Sequence, residues 1–146
     1  MSVEIAIAHE ATDELVEAMN RLLPQLSSGA TSLGIADVRA IVNSEATTLF
    51  IARDGDEVIG ALTLVVFAIP SGKRAWIEDV VVDERARGLG AGESLTKAAI
   101  DEARRHGVRS IDLTSRSSRA AANSLYQKLG FVERETNVYR FFLEDL

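Results

Sequence analysis

Residues Val80 to Gly92 read VVVDERARGLGAG, a β-branched run that passes through a short charged stretch into alternate glycines. Valine side chains are stiff at χ1 and favour a pleated, half-buried backbone, so the segment begins as a strand. Glycines at 88, 90 and 92 then strip side-chain cover from a turn that runs straight into a helix. In such a turn consecutive N–H groups converge on one anion. The helix start adds its own unpaired N–H groups and the positive end of its dipole. Arg85 and Arg87 bring cationic side chains to the same rim. The strand–turn–helix order therefore predicts a phosphate site at the end of a sheet strand.

The chain has 146 residues, enough for one domain with a sound core. It contains no cysteine, which excludes disulfides, thiolate metal sites and a cysteine nucleophile, and a reducing cytoplasmic setting is expected. The start, MSVEIAIAHEATDELVE, has neither a basic n-region nor a long apolar run, so neither a signal peptide nor a membrane anchor is expected. The longest apolar run, Ala61 to Pro70, is too short to cross a bilayer. A net charge of -6 argues against general nucleic-acid binding, which needs a basic footprint. His9 and His106 are separated by most of the chain, and no metal site is expected.

Alternation over Val3 to His9 predicts a half-buried strand. Thr12-Asp13 is a plausible helix cap, and Leu15, Val16, Met19, Leu22 and Leu23 then recur at helical spacing until Pro24 and the SSGATS segment stop the helix in a loop. The loop Ser27 to Leu33 is small and flexible enough for a substrate-side lid, and Ile35 to Asn43 reads as a second helix. Strands are predicted over Thr47–Arg53 and Glu57–Phe67, joined by the hairpin signal Asp54-Gly55-Asp56, and over Ala75–Val82. A helix of about Gly90 to His106, a strand Ser110–Thr114, a helix Ala120–Leu129 and a final hairpin of Phe131–Glu133 with Asn137–Leu143 complete the order β-α-α-β-β-β-α-β-α-β-β. This is a mixed α/β (α+β) unit with a mostly antiparallel central sheet, because three early strands run together through short turns.

A P-loop would carry Gly-Lys-Ser/Thr, but Gly92 is followed by Glu93. A dinucleotide fold would place its glycines after the first strand rather than the fourth. Arg87-Gly88-Leu89-Gly90-Ala91-Gly92 instead resembles the R/Q-x-x-G-x-G/A signature of the GNAT superfamily of acyl-CoA-dependent N-acetyltransferases. The segment Asn123-Ser124-Leu125-Tyr126-Gln127-Lys128-Leu129-Gly130-Phe131 resembles that family's LYxKxGF junction. The two motifs stand in the family's order and cover about the last half of the chain.

The resemblance implies a GNAT fold and an acetyl-CoA co-substrate whose pyrophosphate rests on the backbone of Arg87, Gly88, Leu89, Gly90, Ala91, Gly92 and Glu93. It implies that the pantetheine arm pairs with the backbone of Val80, Val81 and Val82; a β-bulge in this strand would splay it from the next one and open the slot. It further implies that Asn123 contacts the cofactor arm and that Tyr126 is the general acid for the departing thiolate. Glu78 is the favoured candidate general base, ahead of Asp79, and the N–H near Val80 is suited to polarise the thioester carbonyl. Arg116 stands where many members carry Asn, in a segment TSRSSR suited either to a phosphate or to a cap by Ser117 or Ser118.

The implied reaction is direct transfer from acetyl-CoA to a primary amine in a ternary complex, since there is no cysteine to form an acyl-enzyme. A small-molecule amine and a protein amine both remain open as acceptor. The acceptor site is expected from the first two helices, the Ser27–Leu33 loop and the Thr136–Tyr139 region. The rival reading is a non-catalytic acyl-CoA-binding or regulatory module on the same fold. The family also suggests a homodimer formed through edge strands.

Overall fold

The structure is a computed structural model that describes residues 3–144. The chain forms two compact units, Met1–Thr114 and Ser115–Leu146. The first unit holds β1 (Val3–Ile7), α1 (Asp13–Leu26), α2 (Ile35–Val42), β2 (Thr47–Asp54), β3 (Glu57–Ile69), β4 (Gly72–Val82), α3 (Ala91–Arg105) and β5 (Ile111–Asp112). These strands form one sheet in the order β1-β2-β3-β4-β5, antiparallel except for the parallel β4–β5 pair. The second unit holds α4 (Ala120–Lys128).

Residues paired across the sheet share a face, and the two faces carry different helices. Ile51, Ala61 and Val81 are in register and pack with Leu15, Ala18, Met19 and Leu22 of α1 and Val38 of α2. Gly60 pairs with Val82 on the opposite face, where a Cβ on Gly60 would sit 3.3 Å from the Leu95 side chain. The missing side chain is what lets α3 lie close to the sheet. Leu95, Thr96, Ala99 and Ala103 are buried along that helix, and the Thr96 hydroxyl is satisfied by donating to the Gly92 carbonyl at 2.7 Å.

Helix α1 begins as the sequence predicts, with the Thr12 hydroxyl accepting from Leu15 N at 3.1 Å. It ends at Leu26, with Ser27 of the SSGATS segment as its C-cap and Pro24 inside its last turn. Proline removes a single N–H and only disfavours the turn before it, so a helix held by an apolar face can carry one near its end. The expected final hairpin is not formed. Residues 131–144 contain no strand, and Val132, Val138, Tyr139, Phe141, Phe142 and Leu143 stand exposed. The intervening Arg134-Glu135-Thr136 lacks the Gly or Asn that a tight hairpin turn requires, and an isolated two-stranded ribbon is marginal in water. Among the described residues no helix is long and apolar enough to cross a membrane, and no His, Cys, Asp and Glu cluster is suited to a metal ion.

Candidate active site

The end of β4 departs from regular pairing. Ala61 opposes Val81 and Thr63 opposes Glu78, so Leu62 faces both Asp79 and Val80. A β-bulge thus falls within β4, in its pairing with β3. Asp79 adopts φ 48°, a left-handed conformation that Asp tolerates better than most residues. On its other side β4 pairs with β5 only at Ala75↔Ile111 and Trp76↔Asp112. Val80, Val81 and Val82 thus lie past the end of that ladder. Glu78 shares the α1–α2 face with Thr63 and has an exposed side chain, as does Asp79.

Beyond β4 a 3-10 turn over Glu84–Ala86 leads into the glycines. Gly88 has φ 91° and Gly90, the N-cap of α3, has φ 80°. No atom lies within 4 Å of the place a Cβ would take on either glycine. The first intrahelical bond runs from Ser94 N to the Gly90 carbonyl at 3.0 Å, so the N–H groups of Ala91 and Gly92 precede it. Leu89 is partly exposed within the turn, and the Glu93 carboxylate pairs with Lys97 Nζ at 2.9 Å.

The two rim arginines differ. Arg85 is engaged: its Nη2 lies 3.1 Å from Asp83 Oδ2 and 3.0 Å from Glu57 Oε1. Arg87 is exposed and makes no side-chain hydrogen bond or ion pair among the described residues. Of the pair, Arg87 is the cation available to an anion on the turn.

Asp83, buried to 2% exposure, organises this junction. Its Oδ1 accepts from Arg85 N at 3.1 Å, and Arg21 of α1 reaches its Oδ2 at 3.5 Å while donating to the Val58 carbonyl at 2.6 Å. Gln25 of α1 accepts from Glu84 N at 2.9 Å. One turn earlier on α1, Asn20 brackets the end of the 27–34 loop, donating to the Leu33 carbonyl at 2.9 Å and accepting from Leu33 N at 2.7 Å. Sequence reading passes over Asn20, Arg21, Gln25 and Asp83. Their only signal is polar residues among the apolar positions of an amphipathic helix and at a strand end.

The hydrogen bonds from Arg85 hold the Asp83 carboxyl below the usual carboxylate range, against the opposing effect of burial. A depressed folded pKa contributes stability that is complete above the unfolded value, near 3.9, and is lost as pH falls through the folded value. Asp83→Asn is therefore expected to flatten the acid limb of a urea-midpoint profile relative to wild type, with lower stability at neutral pH. An unchanged acid slope would remove Asp83 from this role.

In the second unit the sequence motif has a direct geometric meaning. Gly130 at φ 104° donates its N–H to the Gln127 carbonyl at 3.1 Å, and Phe131 N donates to the Tyr126 carbonyl at 2.9 Å. That is a Schellman cap, in which the residue beyond the glycine contacts the third residue from the helix end. Here the contact is the edge-to-face pair of Phe131 with Tyr126, 5.7 Å between ring centroids. Glycine and phenylalanine thus fix the tyrosine. Tyr126 is buried, and that desolvation raises its phenol pKa, with Arg119 pulling in the opposite direction.

Asn123 Nδ2 donates to the Arg116 carbonyl at 2.9 Å, closing the loop before α4. Neither Ser117 nor Ser118 caps the helix: the N-cap is Arg119, with no side-chain hydrogen bond. Two carbonyl-directed bonds, from Asn123 Nδ2 and from Arg119 N at 3.0 Å, hold Arg116 O and shape this entry instead.

A bulged strand ending in a glycine turn and helix thus lies within a mostly antiparallel five-stranded α+β sheet, an architecture shared with solved acetyltransferase structures. Residues 13–131 match the Acetyltransferase (GNAT) family, and the chain belongs to that family. It is 36% identical over 109 residues to a mycothiol acetyltransferase of Renibacterium salmoninarum, covering 70% of this chain and 32% of that protein. It is 32% identical over 96 residues to N-alpha-acetyltransferase 30 of Schizosaccharomyces pombe, covering 64% of this chain and 63% of that one. The match thus spans about a third of the first relative and under two thirds of the second. Among solved structures, a transcriptional regulator from Bacillus halodurans superposes with a TM-score of 0.80 at 29% identity, covering 95% of this chain and 100% of that one. An aminoglycoside acetyltransferase from an uncultured soil metagenomic sample superposes with a TM-score of 0.84 over 98% and 97% of the two chains; at 17% identity it shares the fold.

Proposed function

We propose that this protein transfers an acetyl group from acetyl-CoA to a primary amine. The observation that carries the reading is the glycine turn. Its two left-handed glycines leave open space where side chains would stand, beside helix N–H groups that precede the first intrahelical bond. Such a surface fits a pyrophosphate, with Arg87 as its side-chain cation. The pantetheine arm would pair with the backbone of Val80 to Val82, which runs past the short β5 ladder.

Acetyl-CoA supplies an activated thioester. The amine nitrogen bonds to the carbonyl carbon as the carbon–sulfur bond breaks, and the departing thiolate takes a proton from Tyr126. Burial keeps that phenol in its proton-bearing form through the neutral range. The proton lost by the amine passes to water or to Glu78, which stands exposed on the α1–α2 face of the sheet. The Val80 N–H, inside the bulge, is our candidate for the developing oxyanion. Asn123 is the further cofactor contact, once its amide exchanges its bond to the Arg116 carbonyl. As acceptors, relatives named for mycothiol and for protein α-amines support small-molecule and protein amines respectively.

Acetyl-CoA and desulfo-CoA are both expected to raise the melting temperature, by about 2.7 kcal/mol of stabilisation at a hundredfold excess over Kd; ATP and NAD are expected to do neither. No shift at saturating CoA overturns the reading. Thiol release across an amine panel then separates enzyme from binding module: turnover with one amine class identifies the acceptor, and binding without any turnover favours the non-catalytic alternative.

A further inference from the structure

The last two turns of α1 carry polar side chains with two separate attachments. Arg21 donates to the Val58 carbonyl and reaches Asp83, and Gln25 accepts from Glu84 N. Those bonds hold this end of the helix against the junction between β4 and the glycine turn. The chain leaves α1 at Leu26, the residue after Gln25, so the 27–34 loop starts beside that junction. It starts on the sheet face that carries Glu78 and Val81.

The loop is held at its far end. Asn20 offers Leu33 both halves of a carboxamide, donating from Nδ2 at 2.9 Å and accepting at Oδ1 at 2.7 Å. A side-chain amide thus pairs with a main-chain residue as a neighbouring strand would, a contact that fixes direction as well as distance. The Leu33 side chain packs on the cluster that includes Val81, and Gly34 N donates to Asp37 Oδ2 at 2.8 Å. Residues 28–32, SGATS, are exposed, and Ala30 N bonds within the loop, to the Ser27 carbonyl at 3.2 Å. Where this middle stretch stands is set by its anchored end.

We propose that Asn20 is a positioning residue for the acceptor amine: its carboxamide holds residues 28–32 beside the bulged end of β4, where the amine attacks the thioester. The inference rests on the acetyltransfer reading above. Without the pair at Leu33 the loop samples many placements, and the amine must select the competent one. Apparent affinity then falls by the competent fraction, while saturating amine restores the same complex. The loss therefore falls on KM for the amine rather than on kcat. Acetyl-CoA, held by the glycine turn, is bound as before.

Steady-state kinetics across the amine panel tests this, with Asn20→Ala and with Asn20→Leu, which keeps nearly the same volume but has no hydrogen bond to give. Each is expected to raise KM for the amine about tenfold or more, with kcat and the Kd for acetyl-CoA unchanged. Exchange of the Leu33 amide should speed up in both. Thr12→Ala is the comparator: it removes the hydroxyl that accepts from Leu15 N at the other end of α1. It is expected to lower the melting temperature and leave KM alone. An unchanged KM in both Asn20 variants overturns the inference. So does a wild-type KM in Asn20→Leu beside a raised one in Asn20→Ala, which would assign the effect to volume. A rise in Thr12→Ala equal to theirs also overturns it, as general softening of the helix. Each of those results requires turnover and leaves the acetyltransfer reading standing. Wild type that turns over no amine overturns both.

Discussion

Tyr126→Phe is expected to lower kcat by about 10²–10⁴-fold, the usual contribution of a positioned general acid, while the Kd for acetyl-CoA stays the same. The substitution removes one oxygen and keeps the ring that packs edge-to-face on Phe131, so the Schellman cap and α4 are retained. A pH profile sharpens the expectation. Burial raises the phenol pKa, so wild-type kcat should persist past the ordinary tyrosine value of about 10 before its alkaline limb falls. The variant should lack that limb. The same shift has a stability sign: a raised folded pKa contributes stability that is present below the unfolded value and lost as pH rises through the folded one. A variant with wild-type kcat at neutral pH would remove Tyr126 as the acid, whatever its effect at high pH.

The second large effect concerns the turn. Gly90 and Gly55 both hold left-handed backbones, at φ 80° and 61°, and neither has any atom within 4 Å of a would-be Cβ. Alanine at either site meets the same obstacle, a strained φ costing about 1–2 kcal/mol, and no clash. Their positions differ: Gly55 turns the β2–β3 hairpin, and Gly90 caps α3 at the proposed pyrophosphate cradle. Gly90→Ala and Gly55→Ala should therefore lower the melting temperature alike. Only Gly90→Ala should weaken acetyl-CoA binding, by tenfold or more, because its methyl group stands in the space assigned to phosphate oxygens. Equal affinity in the two variants, measured by calorimetry, would show that the turn is shaped for chain reversal alone.

The sequence announces those features that a backbone requirement forces into residue choice. Left-handed turns at Gly88, Gly90 and Gly130 demand glycine, and the Thr12 cap demands a hydroxyl, so these read directly. Family membership follows from the same glycines with the segment around Tyr126. Tertiary contacts are less visible. Arg85 and Arg87 look alike in the sequence, and only Glu57, distant in the chain, together with buried Asp83 separates their roles. Pro24 with the SSGATS segment reads as a helix stop, and α1 does end at Leu26 before Ser27. That Pro24 itself sits inside the last turn follows from the burial of Leu15, Met19 and Leu22, which local rules do not show. Strand-forming residues over 137–143 do predict β structure, but a strand needs a partner, and a local pattern does not say whether one is supplied.

Asp79 gives the bulge a further meaning. With it, Glu78 and Val81 lie on one sheet face three residues apart; without it, Ile77, Glu78, Val80 and Val81 would alternate in unbroken register with Leu64, Thr63, Leu62 and Ala61. The strand thus carries one residue more than pairing requires, at a backbone conformation costing about 1–2 kcal/mol. A one-codon deletion at this place would make a flatter, more regular and sturdier sheet with no kink beside the glycine turn. In this chain the number of residues in the strand, rather than the identity of any side chain on it, sets the break in pairing beside the glycine turn.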